Sequence, residues 1–452
     1  MDAWAAGAIG VDVMVAASAT ARALDERRSA RLAALLQTAL MRSPLYREWL
    51  GARDPQRIAL ADLPIASKAA LMARFDEWVT DPEITLQALR RHTADPALIG
   101  EPFLGRYIVW ESSGSSGQPG LFVQDENAMA VYDALEALRR PVLQPFARML
   151  DPWGWTERLA FVGATGGHFA STVTIERLRR MNASAASRLT AVSFLQPMAS
   201  LVSQLDALDP TVIATYPSLA VLLAHERAAG RLHAAPREIW TGGEMLSAEA
   251  AAHVEQAFGC PVVNSYGASE FLALASSCPH GELHLNTDWV ILESIDAHGR
   301  AAAPGAAGAT TLLTNLANHV QPIIRYDLGD RVKLVPRCDC GSHLPVVQVQ
   351  GRCDDTLHFA GAGRRHVDIV PLAITTVLED DAGLFDFQLR QDGPRDLVLS
   401  SASGLPMLRR GQRALARFLA AQGARGVQIQ CSVEDGHRAA SGKLKRIVAR
   451  TH

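Results

Sequence analysis

The chain has 452 residues, enough for two or three domains with a large hydrophobic core. Hydrophobic residues make up 48% of it and charged residues 20%, an ordinary balance for a globular protein. The formal net charge of −3 argues against a protein that holds nucleic acid by bulk electrostatics. No apolar run of about eighteen residues lacks charge, so we predict no membrane-spanning helix and no membrane partner.

The N-terminal segment is rich in alanine, but it contains Asp2 and Asp12 and no basic region. We therefore expect a mature cytoplasmic segment and not a signal peptide. In a reducing compartment the six cysteines are expected to be thiols or metal ligands and not disulfides.

The predicted elements begin with a helix over residues 20–42, which Ser43 and Pro44 end. A strand-like run, GRYIVWE, precedes a Gly/Ser-rich segment at 112–120. From residue 158 onward apolar runs alternate with amphipathic ones, which predicts a mostly parallel sheet with helices on its faces. The strand candidates are RLAFVGA, RLTAVSF, DPTVIATY, REIWTGG and CPVVNSYG, and the helix candidates are PSLAVLLAHERAAG and SAEAAAHVEQAFG. We expect Ser247 to cap the second helix and Gly259 to end it.

After about residue 285 the pattern changes to short strands with tight turns, such as TTLLTNL and RVKLVPR. Near residue 354 a Gly-rich turn follows, and then some ninety residues with a small α+β pattern. We therefore predict a large domain over 1–353 and a small domain over 354–452.

The segment SSGSSGQPG at 112–120 has two interpretations. A flexible linker has this composition, and so does a loop whose backbone N–H groups surround phosphate oxygens. It lacks the spacing of a Walker loop, so by itself the segment favours the linker.

Four further motifs follow in fixed order: NSYGASEF at 264–271, RYDLGD at 325–330, GRCDD at 351–355 and SGKLKR at 441–446. Together with the Gly/Ser segment they resemble the adenylate-forming superfamily, which includes acyl- and aryl-CoA ligases. The phrases RSPLYREWL and LPIASKAALMARFDEWVTDP, and Ser269 where most members have Thr, resemble the phenylacetate–CoA ligase branch. Gln118 departs from the family pattern, which has Lys in the phosphate loop, and Asp-Leu replaces the usual Arg-Thr in RYDLGD.

The resemblance implies an α/β fold whose large N-terminal domain has mixed sheets with helices, followed by a small, mobile α+β domain. It implies ATP-dependent activation of a carboxylic acid to an acyl-adenylate, with release of pyrophosphate. An aryl acid is the favoured substrate. The acyl group then passes to a thiol, and coenzyme A is the favoured acceptor. A carrier-protein thiol, an amine, or a non-catalytic nucleotide-binding relative remain as alternatives, and the oligomeric state is open, with a homodimer as one possibility.

The resemblance also implies roles for individual residues. Lys443 is the catalytic cation, Glu270 contacts Mg²⁺, Asp330 holds the ribose hydroxyls, Arg352 holds ribose or phosphate, and Asp354 is the hinge. The remaining nucleotide-binding candidates belong to the Gly/Ser segment, to TGGEM at 241–245 and to NSYGASEF. They are Ser112, Ser113, Gly114, Ser115, Ser116, Gly117, Gly242, Gly243, Glu244, Tyr266, Gly267 and Ser269. The acid pocket is assigned to Phe161, His168, Phe169, Tyr216 and Ala268.

Cys278 and a histidine in CPHGELH, together with Cys338 and Cys340 in CDCG, form a plausible tetrahedral zinc set. It resembles a structural metal site of the phenylacetate–CoA ligase branch. His284 is the first choice as the nitrogen ligand and His280 competes with it, whereas a set of reduced buried thiols is the alternative.

Overall fold

The protein is described here by a computed structural model. It describes residues 3–51, 53–112, 119–140, 156–181, 186–244, 246, 248–296, 298–303, 305–306, 308–335, 337–349, 357–360, 366–369, 371–384, 387–434 and 447–448. The chain divides into two compact units. The first comprises residues 1–112, 120–153 and 263–351, and the second comprises 113–119, 154–262 and 352–452.

The helices of the described residues are numbered in chain order. They are α1 Ala3–Ala17, α2 Ala21–Arg42, α3 Pro44–Leu50, α4 Lys68–Ala73, α5 Phe75–Trp78, α6 Leu86–Thr93, α7 Glu126–Arg139, α8 Ala170–Met181, α9 Met198–Leu208, α10 Pro217–Ala228, α11 Ala248–Phe258, α12 Pro371–Thr376 and α13 Leu405–Ala421. A π-helical segment, Val377–Asp381, follows α12. None of these helices is long and apolar enough to cross a membrane, within the part of the chain that the structure describes.

The strands are short and number twenty among the described residues. They are β1 Ile108–Glu111, β2 Leu121–Gln124, β3 Leu159–Gly163, β4 Leu189–Ser193, β5 Val212–Thr215, β6 Glu238–Thr241, β7 Val262–Ala268, β8 Phe271–Ser277, β9 Leu283–Leu285, β10 Val290–Ile295, β11 Thr310–Asn315, β12 Tyr326–Asp327, β13 Val332–Val335, β14 Val346–Val349, β15 Leu357–Ala360, β16 His366–Ile369, β17 Gln388–Gln391, β18 Asp396–Ser400, β19 Gln428–Ser432 and β20 Ile447–Val448.

The first unit contains antiparallel sheets packed against helices. Strands β13, β14, β9, β8 and β7 lie side by side in that order, β10 to β12 form a three-stranded sheet, and β1 pairs with β2. Antiparallel pairing suits the short turns that join these strands. The predicted helix over 20–42 is confirmed as α2, and the predicted strands GRYIVWE, TTLLTNL and RVKLVPR are confirmed as β1, β11 and β13.

A buried ion cluster joins the helices of the first unit to the turn before β10. Asp288 is fully buried, and both of its carboxylate oxygens accept hydrogen bonds of 2.7 Å from Arg139. Its backbone oxygen accepts a bond of 2.6 Å from Arg31, whose guanidinium also lies 3.4 Å from the ring centroid of Trp289. Arg31 also pairs with Asp12, which ties α1 to α2. A buried charge costs much free energy unless it is paired, so removal of one partner would strain this corner.

The second unit contains a parallel sheet in the order β6-β5-β3-β4, as the alternation of strands and helices predicts. Helices α10 and α11 confirm the two amphipathic candidates, and Gly259 ends α11 with a φ of 66°. Ser247, the predicted cap, lies outside the described residues. The C-terminal part of this unit has a second sheet in the order β19-β18-β17-β20, with α13 packed against β19.

The architecture confirms the predicted fold class, a mixed α/β protein with a large sheet-and-helix part and a smaller C-terminal α+β part. The boundary predicted at 353/354 falls within residues 350–356, outside the described part, so the domain division stays a prediction.

Candidate functional site

The motif NSYGASEF forms a tight β-hairpin in the first unit. Ala268 at the end of β7 pairs with Phe271 at the start of β8, so Ser269 and Glu270 form the two-residue turn. The register shifts between Tyr266 and Ala268, because Gly267 forms a bulge there. A Cβ on Gly267 would lie 2.0 Å from the backbone oxygen of Leu272, so only glycine fits this position. Glu270 thus stands at a hairpin turn, 9% exposed.

The hairpin meets the motif RYDLGD from 64 residues further along the chain. The Tyr266 hydroxyl donates a hydrogen bond of 2.9 Å to Oδ2 of Asp330, and both side chains are buried. The turn within RYDLGD is stabilised by Asp327, whose Oδ1 accepts a hydrogen bond of 2.9 Å from the backbone N–H of Gly329. Two of the predicted nucleotide-binding residues are therefore in direct contact.

Arg325, the first residue of RYDLGD, supports this turn structurally. Its φ of 49° is unusual for a residue other than glycine. The guanidinium donates to the backbone oxygens of Ala61 and Leu63 at 3.0 and 2.6 Å and to Glu293 at 3.1 Å. Sequence analysis did not single out Arg325, although a basic residue that opens a turn motif is a signal that invites attention.

Two side chains hold the hairpin turn by its backbone. Nε1 of Trp110 donates to the oxygen of Ser269 at 2.7 Å, and Nδ2 of Asn315 donates to the oxygen of Glu270 at 2.9 Å. The same Asn315 amide group donates to the Tyr132 hydroxyl at 2.9 Å. Buried side-chain donors therefore fix the backbone of this turn.

Asn315 belongs to a buried polar ladder that sequence analysis missed. Its other members are Asn318 and Gln321, each three residues further on and fully buried. Asn318 donates to the oxygen of Val123 at 2.7 Å, while Gln321 accepts from the N–H of Val123 at 2.8 Å. The spacing N-x-x-N-x-x-Q after a buried strand was the available signal. The ladder fixes β2, which follows the Gly/Ser segment, relative to the Glu270 turn.

The two residues at the ends of the Gly/Ser segment, Ser112 and Gly120, are joined by hydrogen bonds. The N–H of Ser112 donates to the oxygen of Gly120 at 2.8 Å, and the N–H of Gly120 donates to Oγ of Ser112 at 2.9 Å. Ser112 and Gly120 continue the β1–β2 pair, so the two ends of the segment lie side by side. The predicted residues Ser113, Gly114, Ser115, Ser116 and Gly117, and also Gln118, lie outside the described residues.

Lys68, the first residue of α4, lies at the base of this loop. A Cβ built on Gly120 would be 3.2 Å from Cε of Lys68. The family pattern places a lysine within the loop, where this chain has Gln118. Sequence analysis assigned no role to Lys68, because this residue and the Gly/Ser segment lie some fifty residues apart in sequence.

In the second unit, two predicted pocket residues and one nucleotide-binding candidate lie at the carboxyl ends of parallel strands. His168 follows β3, Tyr216 follows β5, and Gly243 follows β6. A Cβ on Gly243, whose φ is 81°, would lie 3.3 Å from the ring of Tyr216. Ligands of open α/β sheets bind at this edge. The arrangement thus brings together residues that sequence analysis had assigned to the nucleotide and to the acid.

Tyr216 is closely surrounded. The pKa of its hydroxyl is raised to about 12, chiefly by burial and also by the charge of Glu244, whereas a hydrogen bond with Ser171 lowers it. Its ring meets Phe194 edge-on, with 6.0 Å between centroids. His168, which follows β3, is also buried, at 2% exposure. At neutral pH Tyr216 is therefore a neutral hydrogen-bonding group beside an acidic residue.

The other three pocket candidates have different surroundings. Phe161 lies within β3, packed with Leu159 and Val212 on one face of the sheet. The ring of Phe169 covers Gly167, where a Cβ would lie 3.0 Å away. Ala268 ends β7 in the first unit. Their part in an acid pocket stays a prediction.

The predicted metal ligands converge in the first unit. One ligand atom each from Cys278, His284, Cys338 and Cys340 lies within 4.8 Å of all the others. The sulfurs of Cys278 and Cys338 are 3.9 Å apart, and Nε2 of His284 is 3.2 Å from the sulfur of Cys340. Tetrahedral zinc with Zn–S bonds of 2.3 Å would set sulfurs about 3.8 Å apart, so the donor set fits.

The structure decides between the two candidate histidines. Nδ1 of His284 lies 2.7 Å from the backbone oxygen of Leu344, so it donates there and leaves Nε2 facing the thiols. His280 is exposed and contributes its backbone N–H, which lies 3.3 Å from the sulfur of Cys278. Its ring is not a member of the group. Cys260 is a buried thiol whose pKa burial raises to about 11, and Cys431 is half-buried, in keeping with small core residues.

Three further candidates belong to the C-terminal motifs. Arg352, the hinge residue Asp354 and the catalytic candidate Lys443 lie outside the described residues, so their roles stay predictions.

Comparison with known families gives a match to part of the chain. Residues 179–308 match the family model described as AMP-binding enzyme. A curated relative, Protein CapK of Staphylococcus aureus, is 28% identical over 131 residues. That region is 28% of this chain and 28% of the relative, so the match spans less than a third of either protein.

Solved structures resemble the chain over nearly its full length. The 2-hydroxyisobutyryl-CoA ligase bound to its acyl-adenylate and CoA in the thioesterification state has a TM-score of 0.57 and 21% identity. The same ligase in the postadenylation state with an acyl-adenylate has a TM-score of 0.55 and 20% identity. Each comparison covers 96% of this chain and 91% of the other. At these identities the likeness establishes the fold.

Proposed function

Since the chain carries an AMP-binding enzyme segment within the fold of the adenylate-forming ligases, we propose that it activates a carboxylic acid with ATP. A carboxylate oxygen attacks the α-phosphorus of ATP, pyrophosphate leaves, and an acyl-adenylate forms. A thiol then attacks the acyl carbon and AMP leaves with the bonding electron pair. The enzyme's contribution is positioning and charge stabilisation.

The observation that carries this proposal is the contact between Tyr266 and Asp330 beside the Glu270 turn. The hydrogen bond holds the Asp330 carboxylate in place, where it can accept from both ribose hydroxyls. Trp110 and Asn315 fix the backbone of the turn, and the Glu270 carboxylate at this turn is the group that we assign to a bound cation. Two motifs 64 residues apart in sequence thus form one polar, buried cluster.

We assign Mg²⁺ to Glu270. Mg²⁺ usually binds one or two carboxylates and the phosphates of its substrate, keeping several waters. A single, largely buried carboxylate at the end of a rigid hairpin fits that requirement. Glu270 would hold the ion, and the ion would supply charge neutralisation of the leaving pyrophosphate.

For the phosphates we propose that Lys68 supplies the positive charge that Gln118 lacks. Lysine is a common phosphate-binding residue and acts as a point charge at the end of a flexible chain. The position of its Cε beside Gly120, at the base of the Gly/Ser loop, supports this role. The loop's backbone N–H groups would supply the remaining donors.

We further propose a structural zinc held by Cys278, His284, Cys338 and Cys340. Four protein ligands leave no open position, as in structural and not catalytic sites. The ligands come from the β8–β9 turn, from β9 and from the turn between β13 and β14, so the metal would fasten neighbouring strands of one sheet.

We propose that the acceptor is the thiol of coenzyme A. The fold shared with a CoA ligase supports this choice. A carrier-protein thiol, an amine acceptor and a non-catalytic relative remain alternatives that activity measurements separate.

The acid itself is proposed as an aryl acid because Phe169 and Tyr216 lie in the loops that follow β3 and β5.

The deciding experiment measures pyrophosphate release from ATP with a panel of aryl and aliphatic acids. We expect release that depends on one class of acid, and a loss of roughly a hundredfold or more in Glu270→Gln. Glu26→Gln, at an exposed position of α2, is the control and should keep full activity. A chain that binds ATP but releases no pyrophosphate with any acid would favour the non-catalytic alternative.

A further inference from the structure

Side-chain amides close the outer edge of strand β2. Within the part of the chain that the structure describes, β2 pairs with β1 and with no other strand. The backbone groups of Leu121 and Val123 face away from β1, because hydrogen-bonded and non-hydrogen-bonded pairs alternate along an antiparallel pair. Gln321 accepts from the N–H of Val123 at 2.8 Å and donates to the oxygen of Leu121 at 3.0 Å. Asn318 donates to the oxygen of Val123 at 2.7 Å, so two side chains take the place of a neighbouring strand.

The segment that carries these amides is held by its own side chains. Oδ1 of Asn315 accepts from the backbone N–H groups of Ala317 and Asn318, at 2.9 and 3.2 Å. Oδ1 of Asn318 accepts in the same way from Val320 and Gln321, at 3.1 and 3.2 Å. Both asparagine oxygens are therefore used within the segment, and the two NH2 groups are the ends that bind other elements.

The two NH2 groups belong to a ring of buried hydrogen bonds. Nδ2 of Asn315 donates to the Tyr132 hydroxyl at 2.9 Å, and that hydroxyl donates to Oε1 of Gln124 at 3.1 Å. The same Oε1 accepts from Nδ2 of Asn318 at 3.0 Å, and the backbone N–H of Asn318 returns to Asn315. All four side chains are at most 1% exposed. Such a network is rigid, because a side chain that moves breaks bonds that water cannot replace.

The network contacts both proposed parts of the nucleotide site. At one end Gln321 binds Leu121, the residue directly after Gly120 at the end of the Gly/Ser segment. At the other end Asn315 donates to the backbone oxygen of Glu270 at 2.9 Å. Satisfying the edge of β2 requires only the amides that contact β2, so it does not account for the extension to Glu270. One continuous set of hydrogen bonds thus fixes the Glu270 turn relative to β2.

We propose that Asn318 and Gln321 are positioning residues for the adenylation step. Through Asn315 they hold the Glu270 turn at a set distance from β2, so that the Mg²⁺ assigned to Glu270 meets the phosphates that we place beside Gly120. This inference rests on the proposed function and adds residues that act on its site from within the core. Misplacement of a reacting group by about 1 Å can cost on the order of a hundredfold in rate, so a buried amide can govern this step.

The first test measures ATP binding by calorimetry with and without Mg²⁺, in the full-length protein and without acid. The ratio of the two Kd values reports the coupling between metal and nucleotide. Gln321→Met keeps the length of the side chain and removes both hydrogen bonds to β2, so we expect it to reduce this ratio at least about fivefold. Asn318→Leu should act likewise. Gln321→Asn keeps the carboxamide but shortens the side chain by one methylene group, and this milder variant should change the ratio in the same direction.

Ser43→Ala is the matched control for these variants. The Ser43 hydroxyl is fully buried in the first unit, donates to the oxygen of Glu77 at 2.9 Å and accepts from the N–H of Tyr46 at 3.3 Å. The control therefore also loses two buried hydrogen bonds, but at a place away from the network. It should keep the wild-type ratio, and thermal unfolding of each variant shows that the protein is folded at the temperature of the assay.

The second test is a double-mutant cycle on pyrophosphate release. If Gln321 acts through Glu270, Gln321→Met should lower kcat at least about fivefold in the wild type but less than about twofold in Glu270→Gln. The KM for the acid should stay unchanged. A purely structural role of Gln321 predicts the same fractional loss of kcat in both backgrounds.

The two tests separate this inference from the proposed function. Absence of acid-dependent pyrophosphate release, with a Kd ratio that still depends on Gln321, would overturn the proposed function and leave the positioning role supported. The positioning role is overturned if all three variants keep the wild-type ratio, if Ser43→Ala reduces it equally, or if the double-mutant cycle is additive. A protein that binds no ATP overturns both.

Discussion

The hydroxyl of Tyr266 donates a 2.9 Å hydrogen bond to the Asp330 carboxylate in a buried setting. This bond joins the hairpin that carries Glu270 to the turn of RYDLGD. We infer that it orients Asp330 for the ribose hydroxyls of the nucleotide.

Tyr266→Phe should therefore raise the KM for ATP several-fold, because Asp330 loses its positioning partner. The free energy of unfolding should fall by about 1 kcal/mol, the usual loss for one buried hydrogen bond. Tyr46→Phe is the matched control. The buried Tyr46 hydroxyl donates to the oxygen of Pro322 at 3.1 Å, so the same atom is lost elsewhere. Equal changes of the KM for ATP in the two variants would contradict a role for Tyr266 at the nucleotide.

The metal prediction is about one zinc per chain in purified protein. Because Nε2 of His284 faces the thiols and His280 is exposed, His284→Gln should lower the zinc content and His280→Gln should not. Elemental analysis of protein made with zinc available measures this. Structural zinc can contribute on the order of 10 kcal/mol to local folding, so chelation should increase hydrogen exchange in residues 275–345. Zinc-free wild-type protein would refute the assignment.

Lys443→Ala should reduce adenylate formation by roughly a hundredfold or more, since the resemblance assigns this lysine to the carboxylate and α-phosphate. Thioester formation from a supplied acyl-adenylate should remain nearly intact. Lys445→Ala, two residues away, serves as the control and should leave both half-reactions unchanged. Single-turnover measurements separate the two steps, and an equal loss in both would indicate misfolding or a wrong assignment.

The charge on the phosphate loop can be moved between two positions. Lys68→Ala should raise the KM for ATP about tenfold or more, because a charge-assisted contact is typically worth about 1.5–3 kcal/mol. Gln118→Lys should tighten ATP binding in the wild type and restore it in Lys68→Ala. Gly117→Pro should distort the loop and weaken ATP binding without changing the KM for the acid. If Gly117→Pro leaves the ATP dependence of pyrophosphate release unchanged, the loop does not hold the nucleotide.

His319 should make the first unit less stable in mild acid. Burial lowers its pKa below the ordinary 6.5, while the nearby Asp125 raises it less. Between the lowered pKa and 6.5 the unfolded chain binds more protons than the folded one, so stability falls as pH drops below 6.5. Chemical denaturation at pH 7.5 and 6.0 should show this fall in the wild type and a smaller one in His319→Asn. His298→Asn, at an exposed position, should retain the wild-type difference.

Local sequence determined much of the molecule. Alternating apolar and amphipathic runs predicted the parallel strands β3 to β6 and the helices between them, because periodicity reports which face of each element is buried. Glycine at 259 predicted the end of α11, since a left-handed residue is needed there. The ordered motifs predicted the fold and the candidate nucleotide-binding residues. The cysteines and histidines of CPHGELH and CDCG predicted the group of candidate zinc ligands.

Tertiary structure decided what periodicity cannot encode. Whether His280 or His284 faces the thiols depends on a hydrogen bond to Leu344, 60 residues away from His284. The spacing of Asn315, Asn318 and Gln321 is typical of a polar turn. Only the packing shows that these side chains are buried and that Asn315 holds the Glu270 hairpin. Lys68 gains a place beside the phosphate loop because α4 packs against Gly120. These relationships join residues that are distant in sequence, and they arise from burial of polar groups that must find partners wherever the fold places them.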